Sequence, residues 1–99
     1  MLSLEVNQVT ELVVNGKNLQ TVKEIHQFFK TGLSFPDFYG ENLDALYDCL
    51  LDYAMPPMVI KWVHFDESLK NLGDQANKLA DVLMEASEEV SGLKVIIEK

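Results

Sequence analysis

The segment Met58-Val59-Ile60-Lys61-Trp62-Val63 (residues 58–63, MVIKWV) decides the fold class of this chain of 99 residues. Every residue in it except Lys61 is apolar. Such a nearly continuous β-branched and aromatic run is typical of a strand that a parallel sheet buries on both faces. The Pro56-Pro57 pair directly before it ends any preceding helix. The segment therefore predicts the middle of a parallel sheet, and parallel strands require crossover connections on either side.

Strands and helices alternate outward from this segment. Two further strands are predicted, at Glu11-Leu12-Val13-Val14-Asn15-Gly16, which closes on an Asn-Gly turn, and at residues 93–98. Apolar spacing and capping residues predict helices over residues 22–32, 43–53, 65–72 and 74–90. The fold class is therefore α/β, a small three-stranded parallel sheet packed with about four helices. We expect a single domain over residues 1–99, with residues 1–10 as an N-terminal extension.

The charge balance narrows the class of partner. The chain has 16 acidic residues against eight basic ones, all lysine, and its net charge is −8. Arginine supplies the planar fork that recognises phosphate and guanine, so a nucleic-acid partner is not expected. A charged partner should be basic.

No segment of the sequence predicts export or membrane insertion. The apolar runs are a few residues long, and the opening stretch MLSLEVNQVT lacks a basic region and contains Glu5. The single cysteine, Cys49, has no partner for an internal disulfide, which is compatible with a reducing compartment. We therefore expect no signal peptide, no membrane span and a cytoplasmic location.

Half of the net charge lies in residues 41–52, which hold four acids and no base. Asp44, Asp48 and Asp52 are four residues apart, so a helix would align three like charges in a column, at a cost of roughly 0.2–0.5 kcal/mol per pair. A helical wheel places this column opposite a core side, with Tyr47 and Leu51 on the border beside the aspartates. The core side contains Leu43, Leu46, Leu50, Tyr53 and Ala54, with Cys49 at its margin.

Several functions are compatible with such a column. Most charge runs are solvated faces, although aspartate is a poor mid-helix residue. A metal site needs further ligands, because carboxylates spread over about 12 Å cannot converge on one ion. A paired-carboxylate hydrolase on Asp44 and Asp48 stays open, but both would lie on a convex face and the chain has no nucleophile or phosphate-loop motif. His26, His64 and Cys49 fit structural roles better. The remaining alternative is a protein interface, with aromatic anchors among charges that steer a basic partner.

Residues 38–50, FYGENLDALYDCL, closely resemble the YYGxNLDALWDCL segment of the barstar family, intracellular inhibitors of barnase-type ribonucleases. The resemblance covers residues 11–98 with few or no gaps, and a motif of this length is highly specific. Further matches occur at the family's spacing, at Val14-Asn15-Gly16, Ile25-His26-Gln27, Pro36, Trp62, Phe65, Glu85-Ala86 and Val95-Ile96-Ile97.

The resemblance implies a barstar-like α/β fold and an inhibitor that plugs a nuclease active site with the helix beginning near Leu43 and the loop before it. It implies that Asp48 enters the phosphate-binding centre of the enzyme as a phosphate mimic and that Asp44 supports it one turn earlier. Phe38 matches the loop aromatic that packs over the nuclease's catalytic histidine. The other implied partner-binding residues are Gly40, Asn42, Leu43, Tyr47, Leu51, Tyr53 and, on the last helix, Glu85.

The sequence differs from the family prototype at several of these positions. Tyr47 and Tyr53 stand where the prototype has tryptophan, Leu51 where it has threonine, and Phe38 lacks a tyrosine hydroxyl. The partner could therefore be a diverged nuclease, and the alternative is a barstar-like binding module directed to a different basic protein. Asp52 matches no contact residue, so we expect it only to raise the negative potential. The family's cis proline before the second strand matches Pro57.

We therefore expect a cytoplasmic ribonuclease inhibitor that is not an enzyme and needs no cofactor or metal. Its expected partner is a basic extracellular or toxin-type ribonuclease similar to barnase, bound 1:1 by a monomer. Nucleic acid and membrane are not expected as partners.

Overall fold

The computed structural model describes residues 9–99, and the expected N-terminal extension lies outside the described residues except for Val9 and Thr10. Thr10 already belongs to the first strand. The elements are β1 (Thr10–Asn15), α1 (Val22–Gly32), α2 (Leu43–Tyr53), β2 (Met58–Val63), α3 (Phe65–Leu72), α4 (Asp74–Glu89) and β3 (Leu93–Ile97). The predicted α/β class with one three-stranded sheet is confirmed. No helix within residues 9–99 is both long and apolar enough to cross a membrane.

The MVIKWV segment forms the central strand of the sheet. The strand order is β1-β2-β3, and both pairings of β2 are parallel. In the register, Ile60 lies between Leu12 and Val95, and Trp62 lies between Val14 and Ile97. The Pro56–Pro57 peptide bond that precedes β2 is cis, as the resemblance implied.

One face of the sheet carries the hydrophobic core. Met58, Ile60 and Trp62 alternate along β2 and are buried together with the apolar sides of the four helices. The indole Nε1 of Trp62 donates a hydrogen bond to the Ser68 hydroxyl at 2.9 Å, so the largest buried ring has its polar atom satisfied by α3.

The prediction that β2 is buried on both faces is wrong. Val59, Lys61 and Val63 on its second face are only half-buried, and the neighbouring Val13 and Ile96 are 41% and 37% exposed. We call this second face the open face. Its β-branched residues favour a strand whether or not anything covers them, because strand preference follows from side-chain shape as well as from burial.

Candidate functional site

The start of α2 is fixed by residues just before it. Asn42 is the N-cap, and its side-chain oxygen accepts a hydrogen bond from the Ala45 amide at 2.8 Å. Its side-chain nitrogen donates to the Gly40 carbonyl at 3.3 Å. A Cβ at Gly40 would lie 3.2 Å from that nitrogen, so a larger residue would push the Asn42 side chain aside by a few tenths of an ångström. Gly40 and Asn42, two of the predicted contact residues, therefore also set the direction of the helix.

The aspartate column predicted from the sequence lies on the surface of α2. Asp44, Asp48 and Asp52 are exposed, while Leu46 and Leu50 on the other side are fully buried. The ion pairs found within residues 9–99 are Lys61–Glu98 and Lys70–Glu67, so none involves an α2 aspartate. Three like charges thus share one helix face with no cation of the described chain paired to them.

Tyr53 does not face the core as the helical wheel predicted. It is 37% exposed, and its ring packs against Phe35 with the centroids 6.0 Å apart. Because α2 ends at Tyr53, the ring lies at the helix terminus beside the preceding loop and not beneath the helix. This position makes Tyr53 accessible to a partner.

A hollow of about 380 Å³ lies between α2 and α4, and we call it the α2–α4 hollow. It brings four predicted contact residues of α2 together with Glu85 of α4, although Glu85 is far away in sequence. Its lining consists of Leu43, Asp44, Tyr47, Asp48, Val82 and Glu85.

A second hollow, of about 260 Å³, lies on the other side of α2, against residues 34–41. We call these residues the contact loop and the cavity the loop hollow. Phe38, Gly40, Asp48 and Tyr53 line it, as predicted contact residues, and Asp52 lines it as well. Asp48 therefore borders both hollows and stands on the ridge between them. Leu51 is 39% exposed but lines neither hollow.

The contact loop presents one aromatic ring and buries the next. Phe38 is 85% exposed, whereas Tyr39 is 6% exposed. The Tyr39 amide donates to the Pro36 carbonyl at 3.0 Å, which closes a turn with Phe38 inside it. A large apolar side chain held this far into solvent is typical of a contact residue.

Carboxylates near α2 contribute to raised pKa values of two of its side chains, Tyr47 and Cys49. The pKa of Tyr47 is raised, first by desolvation and then by the carboxylates of Glu89 and Glu85. The pKa of the Cys49 thiol is raised as well, first by burial and then by Asp52 and Asp48. A raised pKa disfavours the thiolate, so Cys49 lacks the activation that a nucleophilic cysteine needs.

Neither histidine lines the α2–α4 hollow or the loop hollow. His26 is 2% exposed and hydrogen-bonded to Tyr39, and His64 is the residue before α3, in the left-handed region with φ 54°. Within residues 9–99 no three His, Cys, Asp or Glu side chains converge in a way that could hold a metal ion. The exposed charges and rings of α2 and the contact loop therefore offer a surface for recognition.

Sequence reasoning missed several residues of this surface. Asp52 was expected only to raise the negative potential, and Val82, Glu88 and Glu89 were not singled out. Periodicity assigns a residue to a side of its own helix but does not reveal which other helix lies beside it. For Asp52 a signal existed, because it is one turn after Asp48 on the same face.

Comparison with known proteins decides the family. A family model described as "Barstar (barnase inhibitor)" matches residues 9–98. The chain belongs to the barstar family. The resemblance seen in residues 38–50 is thereby confirmed, and barstar membership points to an inhibitor protein and not to an enzyme.

A relative of similar size supports the same assignment. It is the Bacillus subtilis (strain 168) protein described as "Putative ribonuclease inhibitor YrdF", which is 36% identical over 89 residues. The alignment covers 89% of this chain and 98% of that protein. The two therefore correspond over their whole common domain, including the helix and loop described above.

Proposed function

We propose that this protein inhibits a basic ribonuclease by laying α2 and the contact loop across the enzyme's active site, with Asp48 in the position of a substrate phosphate. Ribonuclease inhibition in general is supported by membership in the barstar family and by the printed description of the B. subtilis relative. The roles of single residues and the class of enzyme are the finer part of this proposal.

The observation that carries the proposal is the position of Asp48 on the ridge between the two hollows. A ribonuclease must hold a phosphate with cationic side chains, and an exposed carboxylate flanked by recesses is suited to enter such a centre. The carboxylate has no cation of its own within the described residues. It therefore loses no internal ion pair when it meets the cations of an enzyme.

We propose supporting roles for the neighbouring residues on the basis of the same geometry. Asp44 and Glu85 border the α2–α4 hollow and would contact cations on one side of the phosphate centre. Phe38 would cover the enzyme on the other side, where the loop hollow lies. Tyr47 and Tyr53 add aromatic area at either flank. Tyrosine is enriched among the interface residues that contribute most of the binding free energy. Leu51, exposed on α2, would lie at the edge of the contact.

The proposed partner is a barnase-like ribonuclease of the extracellular or toxin type, bound 1:1 by a monomer in the cytoplasm. One ridge accommodates one active site, which supports a single enzyme per chain. A nuclease destined for export or attack is dangerous to RNA wherever it meets the cytoplasm, and an inhibitor kept there blocks that damage. The acidic surface also suits rapid capture, since opposite charges accelerate association.

Barnase provides the direct test of this proposal. Cleavage of a fluorogenic RNA by a fixed amount of barnase should decrease stoichiometrically as the protein is added. The Asp48→Asn variant should lose about 2–5 kcal/mol of binding free energy, the usual cost of removing one partner of a buried charge pair, a range to which barnase with barstar itself contributes. Substitution by asparagine preserves size and removes only the charge.

The matched control is Glu11→Gln, which removes one charge from exposed β1 on the open face. It should inhibit as well as the parent. Full inhibition by Asp48→Asn would contradict the phosphate-mimic role. No inhibition of barnase by the parent protein at micromolar concentration would contradict a barnase-like partner and favour a different basic protein.

A further inference from the structure

We propose that His26 and Gln27 of α1 are positioning residues that hold the contact loop in its binding shape before any partner arrives. This inference rests on the proposed function, because it concerns the same loop, and it adds a role for two side chains that are not among the proposed contact residues. From the sequence, His26 was expected only to have a structural role.

Two hydrogen bonds from consecutive residues of α1 reach across to the loop. His26 Nδ1 and the Tyr39 hydroxyl are 2.5 Å apart, and Gln27 Nε2 donates to Glu41 Oε2 at 2.5 Å. His26 and Tyr39 are both buried, whereas Gln27 is exposed. One turn of α1 therefore holds the loop by two bonds. We call the buried His26–Tyr39 bond the inner bond and the exposed Gln27–Glu41 bond the outer bond.

The backbone at the two ends of the loop needs such support. Ser34 and Glu41 have φ angles of 56° and 53°, in the left-handed region that is strained for residues other than glycine. Such conformations persist only where surrounding contacts over-determine them. Glu41 is itself the acceptor of the Gln27 bond, so one support lies at the strained residue.

Tyr39 transmits the restraint to the presented ring. It is the direct neighbour of Phe38, and its own ring packs against Phe35 with centroids 4.9 Å apart. Phe35 in turn packs against Tyr53 at the end of α2. Fixing the hydroxyl of Tyr39 thus fixes the backbone from which Phe38 projects, between α1 and the end of α2.

The consequence for binding is preorganisation. If the loop is already ordered in the free protein, the partner does not supply the cost of ordering it, and the complex dissociates more slowly. Removing the inner bond should therefore raise koff about three- to tenfold, the range expected when one side chain and its loop segment must be ordered on binding.

Tyr39→Phe is the direct test, with barnase as the probe. It keeps the ring and removes the hydroxyl, and koff is measured in the parent and in a Phe38→Ala background. We expect koff to rise about three- to tenfold in the parent and less than about twofold without the Phe38 ring, because the effect acts through that ring. Gln27→Ala, an exposed change, should raise koff in the same direction and should leave folding intact.

Ser68→Ala is the matched structural control. It breaks the other buried side-chain hydrogen bond described above, to Trp62, away from the loop. It should lower the free energy of unfolding and leave koff unchanged. An equal rise in koff for Ser68→Ala, or for Tyr39→Phe with and without Phe38, would overturn the positioning role in favour of general destabilisation.

Binding of barnase by the parent with unaltered koff in Tyr39→Phe and Gln27→Ala would also overturn the positioning role while leaving the inhibitor function in place. Failure of the parent itself to bind would instead count against the proposed function. The two hypotheses are thus separated by the same measurements.

Discussion

The open face of the sheet and the surface formed by α2 and the contact loop are both exposed, yet they distribute charge differently. On and beside the open face, Lys61 pairs with Glu98 at 3.5 Å, and Lys94 and Glu11 add one charge of each sign. On α2, three aspartates have no cation paired to them within residues 9–99. The acidic excess is therefore local, whereas a surface kept for solubility mixes both signs.

The same two surfaces expose apolar groups in different ways. Val13 and Ile96 on the open face are held within strands, each partly covered by its neighbours. Phe38 stands almost free on a loop whose other aromatic residues are packed. Exposed apolar area alone does not mark an interface, since much of any protein surface is apolar. The combination of unpaired charge with a presented ring distinguishes α2 and its loop.

The largest expected difference lies between the two faces of one strand. Ile60→Ala should lower the free energy of unfolding by about 2–5 kcal/mol, because it leaves a cavity in the core. Val59→Ala, one residue earlier and half-buried, should cost about 1 kcal/mol or less. Urea unfolding of both variants measures the difference. Equal losses would show that the open face is covered in solution.

Lowering the pH should decrease the free energy of unfolding through His26, which is hydrogen-bonded to Tyr39 of the contact loop. The pKa of His26 is lowered by burial, against a smaller opposite effect of the Glu41 carboxylate. The unfolded chain therefore binds the proton first as pH falls below the ordinary histidine value of about 6.5. The free energy of unfolding should be highest above that pH and decrease below it, by at most about 1.4 kcal/mol per pH unit for one proton.

The pH experiment compares the parent with His26→Gln by urea unfolding between pH 8 and pH 5. Two other titratable groups lie near His26. They are Tyr39, whose pKa is raised mainly by burial, and Cys49, near the Tyr39 hydroxyl. Both stay neutral over that range, so they do not contribute. The variant should lose the histidine-dependent part of the slope, and an identical slope in both proteins would contradict the assignment.

The smallest expected effect concerns Asp52. If it contacts the partner through the loop hollow, Asp52→Asn should raise koff for barnase about threefold, within the 0.2–1 kcal/mol typical of exposed ion pairs. Glu11→Gln removes the same charge from the open face and should leave koff unchanged. Surface plasmon resonance gives kon and koff as separate values, and the measurement is made at two salt concentrations. Equal koff values for the two variants would return Asp52 to the background role expected from sequence.

Element boundaries followed closely from local chemistry. The helix begins at Leu43 because Asn42 caps it, and MVIKWV forms a strand because four of its six residues are β-branched or aromatic. These signals act within a few residues, so the sequence alone displays them. The aspartate column also followed from spacing, since four residues are close to one helical turn.

Contacts between elements could not be derived in the same way. The bond from His26 to Tyr39 joins residues of α1 and a loop, and no spacing rule brings them together. The α2–α4 hollow requires the crossing of two helices, which depends on the whole core. The open face of β2 could not be derived for the same reason. Composition indicates which environment a side chain prefers, but not whether another layer of the fold covers it.

The lone thiol described above gives the chain a built-in reporter. Cys49 is the single cysteine of the sequence and lines the loop hollow beside Phe38. A thiol-reactive dye can therefore attach at one position only. Its raised pKa makes labelling slow at neutral pH and faster as the solution becomes alkaline. A partner seated in the hollow would shield the sulfur, so the labelling rate reads out occupancy without any engineered residue.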